Sequence, residues 1–482
     1  MNGELKDQVA RGVAWSIAEK AGSILLQLGV SLVWLRLLMP DQLGVMAIPT
    51  AFVAVALVLA DSGFSQMLIR KAAPTPDEFK SVFVFNLTAS IILYLALVII
   101  APWVGSYYAM PMIGRIAPIF FLILPINALC AVQNTVLMRE FRFALLSKIS
   151  LAASLISSVV AIGIALAGFG IWSIVAQRVL QMIVRSGLLW WVSAWRPRGA
   201  FDGRCLRQMA PYSCSLMTTD LISTFYTKIP QFFLGKLYPV AVLGSFDQAI
   251  KLKDQPVTSV MQAVQGVTFP ALAKISDDAE RFTESYRQVM MVVAYVMFPM
   301  MLGMSAVASD MFGLLLGEKW MPTVPYFEVI CLAGLFYPVA MVAYNILKVK
   351  SDGPLIVKLE IVKKIIMTAI FAVTIYHSVQ AVVWGLVAIA FCEMVVNFLA
   401  TTRFTALSSY RFVRTLLPIA LVSVAMYAAV WLVGIALPDQ MMLRLLCKLV
   451  VGVVCYLVLS ALFRLEAFRE VTGIIKKQVA HK

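Results

Sequence analysis

Long apolar runs, separated by short polar connections, make up most of the chain. Most runs reach the roughly 20 residues that a helix needs to cross the hydrocarbon core of a bilayer. Open sheet edges cannot satisfy their backbone hydrogen bonds in lipid, so the runs are expected to be helical. The pattern predicts an all-α integral membrane protein with about 14 transmembrane helices. The predicted spans are Gly12–Leu37, Leu43–Ser62, Ser81–Ser106, Ile116–Leu137, Ser147–Ala167, Ile171–Ser193, Met209–Gly235, Val240–Gly266, Val289–Ala308, Val324–Leu347, Leu359–Tyr376, Ala381–Thr402, Phe412–Ala436 and Met441–Phe463.

A short pattern near the first predicted span returns much later in the chain. Leu37–Gly44 recurs as Lys236–Gly244, a Pro-containing turn that ends in Leu-Gly, with one inserted residue. Upstream of each turn, polar residues lie on one helical face at the same offsets. They are Lys20, Ser23, Gln27 and Ser31 in the first copy and Asp220, Ser223, Thr227 and Gln231 in the second. A duplicated membrane chain with a polar stripe in both copies indicates a transporter.

The repeat divides the predicted spans into two parallel lobes. The Arg196–Phe201 connection separates the copies, which gives an N-lobe at residues 1–199 and a C-lobe at residues 200–402, with six spans in each. Both copies are predicted to begin on the same side of the membrane, as in repeats related by an axis along its normal. Residues 403–482 add two spans without a counterpart. Their basic tail is predicted to be either a cytoplasmic amphipathic helix or a solvated end.

Composition and charge agree with a membrane protein. Hydrophobic residues make up 61% of the chain and charged residues 13%, against roughly 45–50% and about 25% in soluble domains. The net charge of +15 is spread over many short connections, so the predicted partner is the lipid bilayer and no nucleic acid is expected. With both termini cytoplasmic, the predicted inner connections hold most Lys and Arg residues, as the positive-inside rule requires.

Several charged residues fall inside the predicted spans or at their margins. They are Glu19, Lys20, Arg178, Arg185, Asp220, Lys228, Asp247, Lys251, Lys253, Asp254 and Glu393. An ion at the bilayer centre costs roughly 2.5–3.5 kcal/mol even on the lenient insertion scale, so these side chains must meet water, a substrate or one another. The alternative interpretation is that Lys251, Lys253 and Arg185 extend to the interface and that Glu19 neutralises Lys20 or Arg178.

A hydrated cavity between the two copies explains the set as a whole. Its predicted substrate-binding residues are Lys20, Ser23, Gln27, Arg178, Asp220, Ser223, Thr227, Lys228 and Lys251. The lysines and the arginine would give it a cationic lining, which suits a phosphate or an acidic sugar. Asp220 and Glu393 are candidates for coupling transport to H+ or Na+, since a carboxylate in a membrane site can load either ion. The alternative for these carboxylates is an ion pair with Lys228 or Lys20.

The sequence carries no recognisable signature of catalysis. No G-x-x-x-x-G-K-[ST] loop is present, so an ATPase within the chain is not expected. The two histidines, His377 and His481, have no second ligand nearby, and the seven cysteines are far apart without a CxxC pair. We therefore predict no catalytic residue, no metal, no cofactor and no enzymatic activity.

Four local patterns resemble the polysaccharide flippases of the multidrug/oligosaccharidyl-lipid/polysaccharide (MOP) superfamily, in the Wzx-type branch of colanic acid exporters. They are Gly12–Ser16, the Asp61–Phe64 turn, Phe269–Ile275 with Asp277-Asp278, and Gly317–Trp320 followed by Pro325. The resemblance implies two six-helix lobes plus two C-terminal helices in the inner membrane. It also implies that an undecaprenyl-diphosphate-linked oligosaccharide moves from the cytoplasmic to the periplasmic face by alternating access. The partners it implies are this lipid-linked glycan, a polymerase and other polysaccharide assembly proteins.

Two other functions remain open at the level of sequence. An ion-coupled small-molecule antiporter of the MATE type would share the fold. A membrane-embedded glycosyltransferase or polymerase is disfavoured, because the predicted outer connections are short and leave little room for a catalytic domain.

Overall fold

The computed structural model describes residue 29 and residues 31–71, 73–140, 142–274, 278–350, 353–437, 440–470 and 472–473, without the side chains of 262–274 and 353–354. Throughout these residues the regular secondary structure is helical, and they contain no strand. The all-α prediction is confirmed. Contacts along the chain divide it into two compact units, Met1–Gly244 and Ser245–Lys482.

The first unit is built from helices whose bounds follow the apolar runs closely. Residues 31–37 are helical, and the helices after them are α1 (Pro40–Asp61), α2 (Phe64–Arg70), α3 (Pro76–Tyr107), α4 (Met112–Phe120), α5 (Ile123–Arg139), α6 (Phe143–Leu166), α7 (Ile171–Val192) and α8 (Gly203–Leu237). The predicted span Ile116–Leu137 is interrupted between α4 and α5. Pro125 has no N–H to donate to the carbonyl of Phe121, which explains a break at this point.

The second unit contains most of α9 and all later helices. These are α9 (Val240–Lys274), α10 (Ala279–Ala306), α11 (Ala308–Met311), α12 (Val324–Lys350), α13 (Gly353–Thr374), α14 (Val379–Thr401), α15 (Ser409–Ala436) and α16 (Met441–Leu462). A π-helical turn, Phe312–Leu316, and a 3₁₀ helix, Glu318–Thr323, connect α11 to α12. The core of this unit forms where α10 packs against α12 and α15.

Nine helical stretches of the described chain are long and apolar enough to cross a membrane. They correspond to α1, α3, α4 with α5, α6, α10, the 3₁₀ helix with α12, α14, α15 and α16. The other long helices, α7, α8, α9 and α13, coincide with predicted spans but are more polar. The first predicted span, Gly12–Leu37, lies mostly outside the described residues. A count of fourteen membrane crossings therefore stays a prediction.

The two turns that share a sequence pattern pack against each other inside the first unit. A Cβ on Gly44 would lie 2.0 Å from the carbonyl oxygen of Val240, and a Cβ on Gly244 would lie 2.0 Å from that of Pro40. The starts of α1 and α9 therefore cross, and each has a glycine at the point of closest approach. Only a residue without Cβ permits this backbone contact.

Helix α8 packs on α1, α2 and α3 of the first unit. The connection before it is attached to the start of α3, where the Ala200 N–H donates to Asp77 at 2.8 Å and the Asp202 N–H donates to the Ser81 hydroxyl at 2.8 Å. The predicted division at residue 199 refers to the sequence repeat and stays a prediction. Within the first unit, this packing places α8 against membrane helices along one side.

Candidate functional site

A row of polar side chains runs along α8 and is exposed in the first unit. Asp220, Ser223 and Thr227 are all exposed, whereas Lys228 beside them is half-buried. Gln231, at the end of the row, is buried. The spacing of three and four residues keeps the exposed members on one helical face. The structure thus brings together three of the predicted cavity residues, with Lys228 one position further along.

Asp220 is hydrogen-bonded to the short helix α2. The side-chain amide of Gln66 donates to Asp220 at 3.4 Å. Asp61, at the end of α1, is close enough to Asp220 for the two carboxylates to interact electrostatically. Asp61 also accepts hydrogen bonds from Ser65 and, at 3.1 Å, from the amide of Asn86. Two acidic side chains and several neutral polar groups therefore form one cluster at the junction of α1, α2 and α8.

The turn between α1 and α2 has the backbone geometry that allows this cluster. Ser62 and Gly63 both have positive φ, +46° and +74°. A Cβ on Gly63 would lie 2.6 Å from the Ser213 carbonyl oxygen of α8, so glycine permits the close approach. At the end of α2 the Arg70 guanidinium stacks over the Tyr212 ring at 4.4 Å from its centroid. The turn is one of the family patterns in the sequence, but the hydrogen bonds of Asn86 with Asp61 and of Gln66 with Asp220 were not predicted.

The two arginines of α7 differ in their surroundings. Arg178 is exposed. Arg185 is half-buried and donates to the side-chain oxygen of Asn134 at 3.2 Å, so it has a polar partner on α5. Its extension to the membrane interface was one of the predicted alternatives. The contact with Asn134 does not test that alternative, which stays a prediction.

The remaining predicted site residues that the structure describes lie in the second unit. Lys251 forms an ion pair of 2.5 Å with Asp247, one helical turn earlier. Lys253 pairs with Asp254 at 2.5 Å. Glu393 is half-buried on α14, and the charges that act on it most strongly are Lys363 and Lys364 of α13. These carboxylates therefore have cationic neighbours within their own unit.

Part of the predicted cavity, comprising Lys20, Ser23 and Gln27, lies outside the described residues. Arg178, Asp220, Ser223, Thr227 and Lys228 belong to the first unit, and Lys251 belongs to the second. A common cavity for these residues stays a prediction, as does a coupling role for Asp220 or Glu393.

A buried charge cluster at one end of α16 was not predicted. Asp310 is fully buried and accepts from Arg444 at 2.5 Å and from Lys448 at 2.6 Å. The sequence does not indicate this pairing, because Asp310 is 134 residues away from Arg444 along the chain. The cluster fastens α16 to α11.

Outside the spans, two carboxylates are stabilised in their charged form. The backbone N–H of Arg204 and the thiol of Cys205 lower the pKa of Asp202, the N-cap of α8. Hydrogen bonds from Arg287 lower the pKa of Glu466, which follows α16. Asp202 thus caps the start of α8, and Glu466 connects the segment after α16 to Arg287 of α10.

The sequence matches a known protein family over more than half its length. A family model described as "Polysaccharide biosynthesis protein" matches residues 33–325. The succinoglycan biosynthesis transport protein ExoT of Rhizobium meliloti (strain 1021) is 25% identical over 331 residues, 68% of this chain and 67% of that protein. The lipopolysaccharide biosynthesis protein WzxC of Escherichia coli (strain K12) is 21% identical over 372 residues, 74% of this chain and 73% of that protein.

Solved structures show the same fold at low sequence identity. The lipid II flippase MurJ in an inward closed conformation has a TM-score of 0.72 and 14% identity, covering 95% of this chain and all of that one. An inward-facing multidrug resistance MATE transporter of the MOP superfamily has a TM-score of 0.62 and 17% identity, covering 80% of this chain and 95% of that one. At such identities the likeness establishes the fold alone.

Proposed function

Because this chain belongs to the polysaccharide biosynthesis protein family, we propose that it is a flippase for an undecaprenyl-diphosphate-linked oligosaccharide. The oligosaccharide is the repeat unit of an O-antigen, a capsule or an exopolysaccharide, and it crosses the inner membrane by alternating access. The names of the succinoglycan transport protein, of WzxC and of the lipid II flippase support this substrate class. The protein acts as a transporter and not as an enzyme.

The observation that carries the proposal is the exposed polar row on α8. Three polar side chains, Asp220, Ser223 and Thr227, are exposed at helical spacing on a long helix of a membrane protein. A charge such as Asp220 facing hydrocarbon would cost roughly 2.5–3.5 kcal/mol at the bilayer centre. Gln66 supplies one polar neighbour to Asp220, and we assign the rest of the exposed row to water and to the hydrated sugar of the head group. The isoprenoid tail remains in lipid.

Cationic residues would hold the diphosphate. Lys228, Arg178 and Lys251, together with Lys20, supply the positive charge, and Ser23, Gln27, Ser223 and Thr227 supply hydrogen-bonding groups for the sugar. Charge-assisted hydrogen bonds to phosphate are about twice as strong as neutral ones. A difference in affinity between the two facing states would then drive the conformational change.

Asp220 is the first proposed coupling residue. It is exposed on α8 and accepts a hydrogen bond from Gln66, and an ionisable residue inside a membrane protein is a candidate for an ion pathway. Glu393 is the second candidate. Loading H+ or Na+ at one of these carboxylates would return the empty carrier, and no other cofactor is proposed.

The proposed orientation has both termini in the cytoplasm. In the first unit, Lys71, Lys80, Arg139 and Arg196 gather where α3 begins and where α2, α5 and α7 end. Such clustering at one end supports a positive-inside arrangement. A polymerase and other assembly proteins on the far side of the membrane would use the exported repeat unit.

The test uses the purified full chain in liposomes that contain the lipid-linked oligosaccharide. A membrane-impermeant glycosidase is added outside, and the fraction of glycan that becomes cleavable is followed over time. We expect the inner-leaflet pool to become accessible faster than in empty liposomes, and faster still under an imposed H+ or Na+ gradient. Asp220→Asn should remove the effect of the gradient, while the control Thr218→Val, on the opposite side of α8, should retain it.

Three outcomes would contradict the proposal. A cleavage rate equal to that of empty liposomes excludes flipping under these conditions. Gradient-driven uptake of a cationic drug without glycan movement would favour the small-molecule antiporter. A change in glycan length would favour the glycosyltransferase or polymerase.

A further inference from the structure

A cleft lined with arginines opens at one end of the second unit, where α10 and α15 begin and α16 ends. Its volume is about 530 Å³. We call it the arginine cleft and define it by Arg287, Arg411, Arg414 and Arg464, with Glu284 and Glu466. None of these residues belongs to the proposed transport site. The cleft lies at the end of three membrane-spanning helices, which is the level of lipid head groups.

Only one of the four arginines is neutralised by the glutamates of the cleft. Arg287 donates to Glu284 at 2.6 Å and to Glu466 at 2.8 Å, so it binds both carboxylates. Arg411, Arg414 and Arg464 are exposed, and none of them donates a side-chain hydrogen bond or forms an ion pair with another described residue. Three guanidinium groups thus remain available to an anion. The fork of an arginine matches a phosphate group in two parallel hydrogen bonds.

Arg464 occupies a backbone position where glycine is usual. The Leu465 N–H donates to the Ser460 carbonyl and the Arg464 N–H donates to the Ala461 carbonyl, which is the Schellman pattern at the end of a helix. Its φ of +47° is left-handed, a conformation that costs a side-chain-bearing residue free energy relative to glycine. The negative end of the helix dipole favours a cation at this position, so Arg464 combines a positive charge with a backbone that glycine would adopt more easily.

Apart from Thr415, the remaining wall of the cleft is apolar. It includes Met291 of α10, Pro418 and Ile419 of α15, and Phe463 at the end of α16. Phe463 is exposed, with 64% of its surface accessible. An anion-binding rim above an apolar wall suits a ligand with a phosphate head and a hydrocarbon chain.

We propose that the arginine cleft binds the phosphodiester of an anionic membrane phospholipid. The guanidinium groups of Arg411, Arg414 and Arg464 contact the phosphate, and an acyl chain lies against Pro418, Ile419 and Phe463. The bound lipid holds the ends of α10, α15 and α16 together at the membrane surface. This site is separate from the polar row of α8, and its test does not depend on transport.

The experiment measures which lipids stay with the full chain. The protein is reconstituted into vesicles of equal amounts of phosphatidylglycerol and phosphatidylethanolamine, extracted in mild detergent, and the retained lipids are quantified by mass spectrometry. We expect the wild-type chain to be enriched in phosphatidylglycerol. The R411Q/R414Q variant should lose the enrichment by on the order of fivefold per arginine. The matched control R403Q/R469Q removes two exposed arginines outside the cleft and should retain it.

A second variant keeps the test independent of misfolding. R464G removes a guanidinium from the cleft and places glycine where the backbone favours it. We expect a thermal midpoint at or above that of the wild type in lipid-free detergent, together with lower retention of phosphatidylglycerol. Equal retention by the wild type, R411Q/R414Q and R464G would overturn the proposal, and so would an equal loss in R403Q/R469Q. Cleft-dependent binding of glycerol phosphate without phosphatidylglycerol would overturn the assignment to a lipid.

Discussion

Charged side chains in the described helices of this protein fall into two groups. Some are matched by an opposite charge, as Asp310 is by Arg444 and Lys448. Asp220 instead accepts a hydrogen bond from the neutral amide of Gln66 and lies near another acid, Asp61. A buried ion pair has a structural role, because the attraction between its opposite charges offsets part of the cost of removing them from water. The partner of Asp220 is a neutral amide, so this contact does not match its charge.

Loss of the Asp310 carboxylate should destabilise the second unit. Asp310→Ala removes the acceptor from the partly buried cations Arg444 and Lys448, and breaking a buried pair in this way costs about 3–5 kcal/mol. We expect a lower thermal midpoint of the purified chain in detergent. Lys148→Gln, at an exposed cation of the first unit, is the control and should leave the midpoint nearly unchanged. A midpoint for Asp310→Ala equal to the wild type would show that the cluster does not stabilise the fold.

Individual helices were predictable to within a few residues for most of the chain, because a membrane helix satisfies its backbone hydrogen bonds within its own segment. Composition of the segment and its local periodicity then suffice to locate it. The break between α4 and α5 and the greater polarity of α7, α8, α9 and α13 required the structure. These helices carry residues whose partners lie on other helices, such as Arg185 with Asn134.

The crossing of α1 and α9 gives a prediction at the scale of elements. Gly44→Ala and Gly244→Ala each place a Cβ 2.0 Å from a backbone oxygen of the other helix start. Because a backbone atom cannot turn aside as a side chain can, the helices must separate. Overpacking of this kind costs about 1–3 kcal/mol or more.

The measurement is the thermal midpoint and the yield of folded protein, with Gly163→Ala as the control. Gly163 lies in α6, and a Cβ added there would have no atom within 4 Å, so alanine at this position should be neutral or slightly stabilising. If Gly44→Ala were as stable as Gly163→Ala, the close crossing of the two turns would be refuted.

At the scale of the whole molecule, the family predicted from short patterns is confirmed by the match over residues 33–325. The predicted all-α membrane fold is the one that MurJ and a MATE transporter also have. Membership of this chain in the family was predictable, because turn patterns such as Asp61–Phe64 are contained in short segments of sequence. The arrangement of the predicted cavity was not, since its residues come from helices far apart along the chain and from both units.

The proposed orientation predicts how reporter fusions behave. Alkaline phosphatase, which is active only outside the cytoplasm, should be active when fused after Ala109 or His377 and inactive after Gly199 or Phe404. The physical reason is the excess of Lys and Arg in the predicted inner connections. Enzyme activity is measured in cells and normalised to the amount of fusion protein. Activity after Gly199 would reverse the orientation, and a mixed pattern would contradict the even number of spans.

The sequence alone determined the membrane class, the helical fold, the approximate bounds of most helices and the family. These properties follow from apolar length, periodicity and local turn patterns, which are all contained within short segments. Only the tertiary structure decided the partners of the charges, such as Asp220 with Gln66 and Asp310 with Arg444 and Lys448. It also showed that three guanidinium groups of the arginine cleft have no carboxylate partner among the described residues. Those partners depend on which helices are neighbours, and packing between distant segments sets that choice.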